Sequence, residues 1–209
     1  MGQRAYKIIL GAPLRAIDIT EGKFNTYSDQ LRDLLRSLRS FPIQEDYTNV
    51  PILDGEDWKR KYIKFNESIH SRLNTKIKDS VWKDIDAIFE TFLNNRENFT
   101  FKPTLIHDDL SSDHILHDKT TGLITGIIDW GDSVFGDPAF DLTGLFVDYS
   151  PSLCDSILHG LSQSESMLLR VKFYIKLIPF YKVLYGLDIG DRKNLEDGLR
   201  LITKNFKNS

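Results

Sequence analysis

The stretch His107-Asp108-Asp109-Leu110-Ser111-Ser112-Asp113-His114, answered further on by Ile127-Ile128-Asp129-Trp130-Gly131-Asp132, decides how this chain is read. It sets a dense group of acids and imidazoles among short apolar runs. Thr104-Leu105-Ile106 precedes it as a short strand. Ile115-Leu116 is a second strand, and residues 123–128 a third, nearly all apolar and β-branched. Between the last two lies the turn Asp118-Lys119-Thr120-Thr121-Gly122, so the pair reads as a hairpin. The strand Leu105-Ile106 delivers a loop and the hairpin folds back beside it. Asp109, His114 and Asp129 then converge at one end of the hairpin.

Carboxylates brought together repel each other and lose hydration. A cation is the usual remedy. An oxygen-rich donor set points to Mg2+, which keeps some of its waters and shares the rest of its shell with substrate phosphates. One acid outside that shell can accept a hydroxyl proton. Taken singly, each acid also reads as a turn or cap residue. Asp118 and Asp132 suit turns, and Asp137 before Pro138 suits a helix N-cap with proline at the first position. On spacing alone His114 suits a metal ligand or a turn residue, because imidazole is a softer donor than Mg2+ prefers.

Outward from this centre the pattern is helical. Leu31, Leu34, Leu35 and Leu38 recur at i, i+3, i+4 and i+7 in an amphipathic helix starting near Thr26 and ended by Phe41-Pro42. Residues 42–55 read as loop. Residues 57–73 place Trp58, Tyr62, Phe65, Ile69 and Leu73 on one face, and residues 76–95 carry Val81, Ile85, Ile88, Phe89, Phe92 and Leu93. These aromatic stripes read as core packing. Further helices are expected over 138–148, 150–160, 164–185, with a kink at Pro179, and 194–206. Near the start, residues 6–10 read as a strand closed by Gly11-Ala12-Pro13. The expected class is α+β: mainly α, with a small β hairpin insert.

Composition removes several functions. In 209 residues, 27 Lys and Arg face 30 Asp and Glu, a net charge of −3 without the basic excess of a nucleic-acid binder. The single cysteine, Cys154, permits no intrachain disulfide and no Cys-rich zinc site, and reads as a small core residue. No apolar run approaches the roughly 20 residues that span a bilayer. The opening residues carry neither a signal-peptide core nor a myristoylation signal. A cytoplasmic protein with no nucleic-acid or membrane partner is expected.

The order His-x-Asp-Leu, then an apolar strand, then Asp-Trp-Gly resembles the catalytic core of eukaryotic-like kinases. With Ser111-Ser112-Asp113-His114-Ile115-Leu116 and Gly136-Asp137-Pro138-Ala139-Phe140-Asp141-Leu142, the chain resembles the aminoglycoside phosphotransferase family, above all the 2''-phosphotransferases. The closing residues 185–191 and 195–199 fit the same group. The resemblance implies the C-terminal lobe of a protein-kinase-like fold over 1–209. Within it, 1–14 would be the hinge strand and exit from a first lobe, 104–132 the catalytic and metal-binding hairpin, and 133–209 a helical substrate-side subdomain. It also implies roles. Asp109 orients the acceptor hydroxyl and takes its proton. His114 and Asp129 hold Mg2+ bridging the phosphates of ATP or GTP. Leu116 and Ile128 form the apolar floor under the base. His107 supports the loop, and Asp137 braces it from the next helix.

The implied function is transfer of a γ-phosphoryl group to a hydroxyl of a small molecule, as in antibiotic resistance. A first lobe would supply a glycine-rich loop and a strand lysine over the phosphates. Neither is found before residue 14, where Gly2 and Gly11 stand alone, and Lys7 lies on the exit strand itself. The spacing of Gly131 to Gly136 fails as a phosphate loop because Asp137 stands where lysine is needed. Low activity of this chain alone and self-association through a face that a first lobe would cover are therefore expected. Two other functions stay open: an inactive ligand- or partner-binding module on the same pocket, and a metallohydrolase built on His107, Asp108, Asp109 and His114.

Overall fold

Tyr27, Leu31, Leu35 and Leu38 form the buried stripe of the first helix, α1 (Phe24–Ser40), and the chain leaves it in extended backbone at Phe41. The computed structural model describes residues 9–43, 50–161 and 165–206. The chain divides into two compact units, one drawn from Met1–Pro51 and Thr104–Gln163, the other from Ile52–Pro103 and Ser164–Ser209. The second unit's long helices are therefore interrupted in sequence by the hairpin region.

In the first unit α1 is preceded by a two-residue strand, β1 (Ala12–Pro13), and by short 3-10 turns. The strands β2 (Thr104–Ile106), β3 (Ile115–His117) and β4 (Ile124–Ile127) follow, then β5 (Val134–Gly136). They form two small sheets, β1-β3-β4 and β2-β5. The hairpin is antiparallel, with Ile115 opposite Ile127, Leu116 opposite Gly126 and an irregularity between Leu116 and His117. Asp118 sets its turn, its carboxylate accepting from the amides of Thr120 and Thr121 at 2.7 and 3.0 Å. β2 does not pair with this hairpin. It pairs with β5, Leu105 opposite Phe135, a strand too short to show against the motif residues around it. The expected strand over 6–10 is also revised. Residues 6–8 lie outside the described residues, Ile9 and Leu10 are not strand, and the ladder is made at Ala12–Pro13.

Two short helices complete this unit. α4 (Phe140–Asp148) buries Asp141, Leu142, Thr143 and Leu145. α5 (Pro151–Leu158) starts with proline at its first turn and Ser150 as N-cap, its hydroxyl accepting from the Leu153 amide. Cys154 is buried on α5, as expected of a small core residue.

In the second unit, α2 (Gly55–Leu73) is capped by Asp54, which accepts from the Asp57 amide at 2.9 Å. With α3 (Asp79–Asn94) it packs its aromatic stripe against α6 (Glu165–Ile189). The rings are core, as the sequence implied. Phe92 and Phe173 stack at 3.6 Å, Tyr62 and Tyr174 stack at 5.3 Å, and the Trp58 indole donates to the Tyr174 hydroxyl at 2.8 Å. α6 has Pro179 inside it and runs past Tyr185 to Ile189, where Gly190 at φ 73° ends it. α7 (Arg192–Asn205) crosses it where glycine is required: a Cβ on Gly198 would lie 2.4 Å from Val183 and 2.9 Å from the Pro179 carbonyl. The class is mainly α within α+β. Among the described residues no helix is long and apolar enough to cross a membrane.

Candidate active site

All residues expected at the site lie in the first unit, on the β2–β3 loop, the hairpin and the segment entering α4. β2 delivers His107, whose side chain is fully buried. Its Nε2 donates to the Ile128 carbonyl at 2.9 Å, because a carbonyl can only accept. The Ile128 amide in turn donates to the His114 carbonyl at 3.0 Å. These bonds join the loop to the hairpin at Ile128, the residue before Asp129.

His114 is the meeting point. Its Nδ1 lies 2.7 Å from the Asp109 carbonyl and 3.5 Å from the Asp109 carboxylate, and its Nε2 lies 3.8 Å from Asp129 Oδ2. A proton on Nδ1 satisfies the carbonyl and turns the Nε2 lone pair toward Asp129. Two acceptors facing each other across that gap accommodate a shared proton or a divalent cation. A metal-binding imidazole typically donates its other N–H to a carbonyl or carboxylate, as His114 does here. The donor set therefore fits a cation that takes one imidazole, carboxylate oxygens and ligand oxygens together. Among the described residues no three His, Cys, Asp or Glu side chains form a complete metal cage. Mg2+, which leaves positions to water and phosphate, does not need one.

Two non-glycine residues have positive φ among the described residues, Asp108 at 64° and Asp129 at 65°. Both flank this cluster, a concentration of backbone strain typical of functional loops. The strain at Asp129 aims an exposed carboxylate, 71% accessible, back toward His114. Asp109 has its pKa raised, first by partial burial and then by Asp132 and Asp129, with His114 and His107 opposing. A carboxylate shifted this way is a better proton acceptor than a solvated aspartate.

The strained turn at Asp108 is held from below by Asp141 in the first turn of α4. Its carboxylate accepts from the His107 amide at 2.9 and 3.1 Å and from the Asp108 amide at 3.1 Å. Burial pushes Asp141 up to about 7, against the pull of these two amides. Asp137, expected as the brace, is fully buried and has its carboxylate on the Ala139 amide of its own turn at 3.0 Å. Asp141 is the acid whose carboxylate meets the loop amides of residues 107 and 108. It stands in the quoted Gly136–Leu142 stretch but reads there as an ordinary acid in a first helical turn.

Three more supports escaped the sequence reading. Asp148, at the end of α4, accepts from the Ser112 amide at 2.7 Å. Arg15 donates to the Ser112 hydroxyl at 3.2 Å and pairs with Asp113. Gly144 lets α4 touch the loop, since a Cβ there would lie 2.0 Å from the Leu110 carbonyl. None carries a local pattern, because each partner is distant in sequence. Of the two residues expected under a base, Leu116 is buried in β3 opposite Pro13 and Gly126, and Ile128 is half-buried just past β4.

A family model described as the phosphotransferase enzyme family, APH, matches residues 7–174. The chain belongs to this phosphotransferase family. It is 28% identical to viomycin phosphotransferase of Streptomyces vinaceus over 98 residues, 46% of this chain. That match spans only 34% of the relative's length. The fold of this phosphotransferase-family chain is shared with solved structures. One is the GDP and kanamycin complex of APH(2")-IIIa, with a TM-score of 0.86, 22% identity, and coverage of 98% of this chain and 70% of that one. Another is the streptomycin–ATP–APH(2")-IIa ternary complex, with a TM-score of 0.73, 20% identity, and coverage of 94% and 68%. The fold is thus the kinase-like fold of the aminoglycoside phosphotransferases.

Proposed function

We propose that this chain carries the acceptor-side and metal-side residues of a cytoplasmic phosphotransferase. It would move the γ-phosphoryl group of ATP or GTP to a hydroxyl of a small aminoglycoside-type molecule, with an antibiotic-resistance role. The observation that carries the reading is the convergence of Asp109 and Asp129 on the two nitrogens of His114. Membership of the phosphotransferase family supports it. So do the nucleotide and aminoglycoside bound in the solved neighbours.

In this reading Asp109 positions the acceptor hydroxyl and takes its proton as the new P–O bond forms. His114 Nε2 and Asp129 hold Mg2+, which when bound neutralises charge on the phosphate oxygens. Asp141 keeps the loop in its strained turn, so Asp109 enters the reaction already oriented. Leu116 and Ile128 provide apolar surface for the base. His107 and Asp137 act through the loop and the α4 entry rather than on substrate.

The test is transfer of labelled γ-phosphate from ATP and from GTP to kanamycin, streptomycin and viomycin, with Mg2+ and with Asp109→Ala as control. Transfer abolished by that substitution supports the reading, and transfer unchanged by it overturns the role of Asp109. Titration of Mg-nucleotide with Asp129→Ala as control separates a second outcome. Binding that depends on Asp129 without any transfer favours a ligand-binding module on the same pocket.

A further inference from the structure

In the second unit, α3 and α6 face each other with matched spacing. Ile88, Thr91, Phe92 and Asn95 come from one side, and Leu169, Lys172, Phe173 and Lys176 from the other, both at i, i+3, i+4 and i+7. Between them is an open cavity of about 530 Å³, a volume within the usual span of small-molecule sites, about 300–1,000 Å³. Its floor is the Phe92–Phe173 stack, and Leu169 is 48% exposed at its edge.

The charge in this groove runs against that of the chain. Its lining holds two ammonium groups and no carboxylate, in a protein of net charge −3. Lys172 and Lys176 stand one helical turn apart, both exposed, and neither makes an ion pair among the described residues. Asn98 also lines the cavity and is buried, its Nδ2 donating to the Phe92 carbonyl at 2.9 Å. An apolar trough about 10 Å long, from the rise of seven helical residues, thus carries a cationic pair on one wall.

We propose that this groove binds a small amphipathic anion, its apolar body on Phe92, Phe173 and Leu169 and its anionic head between Lys172 and Lys176. A polycationic acceptor is disfavoured there by the same two lysines, so the site is separate from the phosphoryl-transfer reading and does not rest on it.

The probe is decanoate, titrated calorimetrically below its micelle concentration into the full chain, with decanol as the uncharged control. Decanoate saturates at one site per chain, decanol binds at least tenfold more weakly, and the double variant K172E/K176E weakens decanoate at least tenfold. Leu169→Asp weakens decanoate likewise and localises the apolar end. All three residues are exposed, and unchanged thermal unfolding confirms that the variants fold. Equal binding of decanoate and decanol, binding unaffected by K172E/K176E, or no saturable binding overturns the proposal.

Discussion

His114 and Asp129 face each other with imidazole Nε2 and carboxylate Oδ2 3.8 Å apart, while the other ring nitrogen is engaged by the Asp109 carbonyl at 2.7 Å. The hydrogen bond on Nδ1 fixes which nitrogen is free, and the positive φ of Asp129 fixes where the carboxylate sits. The pair is set by backbone on both sides, which makes its chemistry testable by side-chain changes that leave the loop in place.

Asp129→Ala and His114→Ala each remove one of the facing donors. In a Mg-nucleotide titration, each is expected to raise the Mg2+ concentration needed for half-saturation about 10–100-fold. The thermal midpoint of Asp129→Ala should fall only slightly, from alanine at a positive φ, because the carboxylate itself is largely exposed.

Asp109→Ala is expected to lower kcat for phosphoryl transfer by about 10²–10⁴-fold, with nucleotide affinity within about twofold of wild type. Because the Asp109 pKa is raised, the acid limb of the wild-type pH–rate profile should fall above the ordinary aspartate range. A limb at or below that range would remove Asp109 as the proton acceptor.

Asp141→Ala takes the acceptor from the His107 and Asp108 amides and is expected to destabilise the fold by about 3 kcal/mol, read by urea unfolding. Asn keeps an oxygen acceptor and should recover part of this loss. The same residue predicts a pH effect. Its folded pKa of about 7 lies above the value of about 3.9 in an unfolded chain. The folded state therefore holds the proton more tightly, so this contribution is full below about pH 4 and is lost as the pH rises through about 7. Unfolding at about pH 5 and pH 8 should show that decline in wild type and a smaller one in Asp141→Asn.

Gly144→Ala is expected to destabilise by about 1–3 kcal/mol, although alanine is the better helix former by about 1 kcal/mol. The added methyl would meet the Leu110 carbonyl at 2.0 Å and push the loop off α4. The check is a lowered unfolding midpoint together with weakened transfer.

The sequence made the helices and the hairpin plain because each is specified by its own period or turn. Leu31, Leu35 and Leu38 announce α1, and Asp118 with Gly122 announces the turn between β3 and β4. The convergence of Asp109, His114 and Asp129 was legible for the same reason, since a hairpin brings its ends together. The β2–β5 pairing and the grip of Asp141 on residues 107 and 108 were not. A three-residue strand has too few positions to show a period, and a carboxylate that binds amides leaves no matching side chain elsewhere in the chain. Arg15 and Asp148 were hidden likewise, their partners lying at Ser112 and Asp113.

The groups Asp141 grips on the loop are backbone N–H groups, which every residue but proline possesses. Replacing the carboxylate at 109 leaves that anchorage intact, as does exchanging Asp108 for asparagine or glycine, which tolerate its positive φ, so a loss of transfer in such variants reads on the chemistry and not on the fold. The same indifference gives descendants of this chain room to alter what the loop presents to an incoming molecule without rebuilding what carries it.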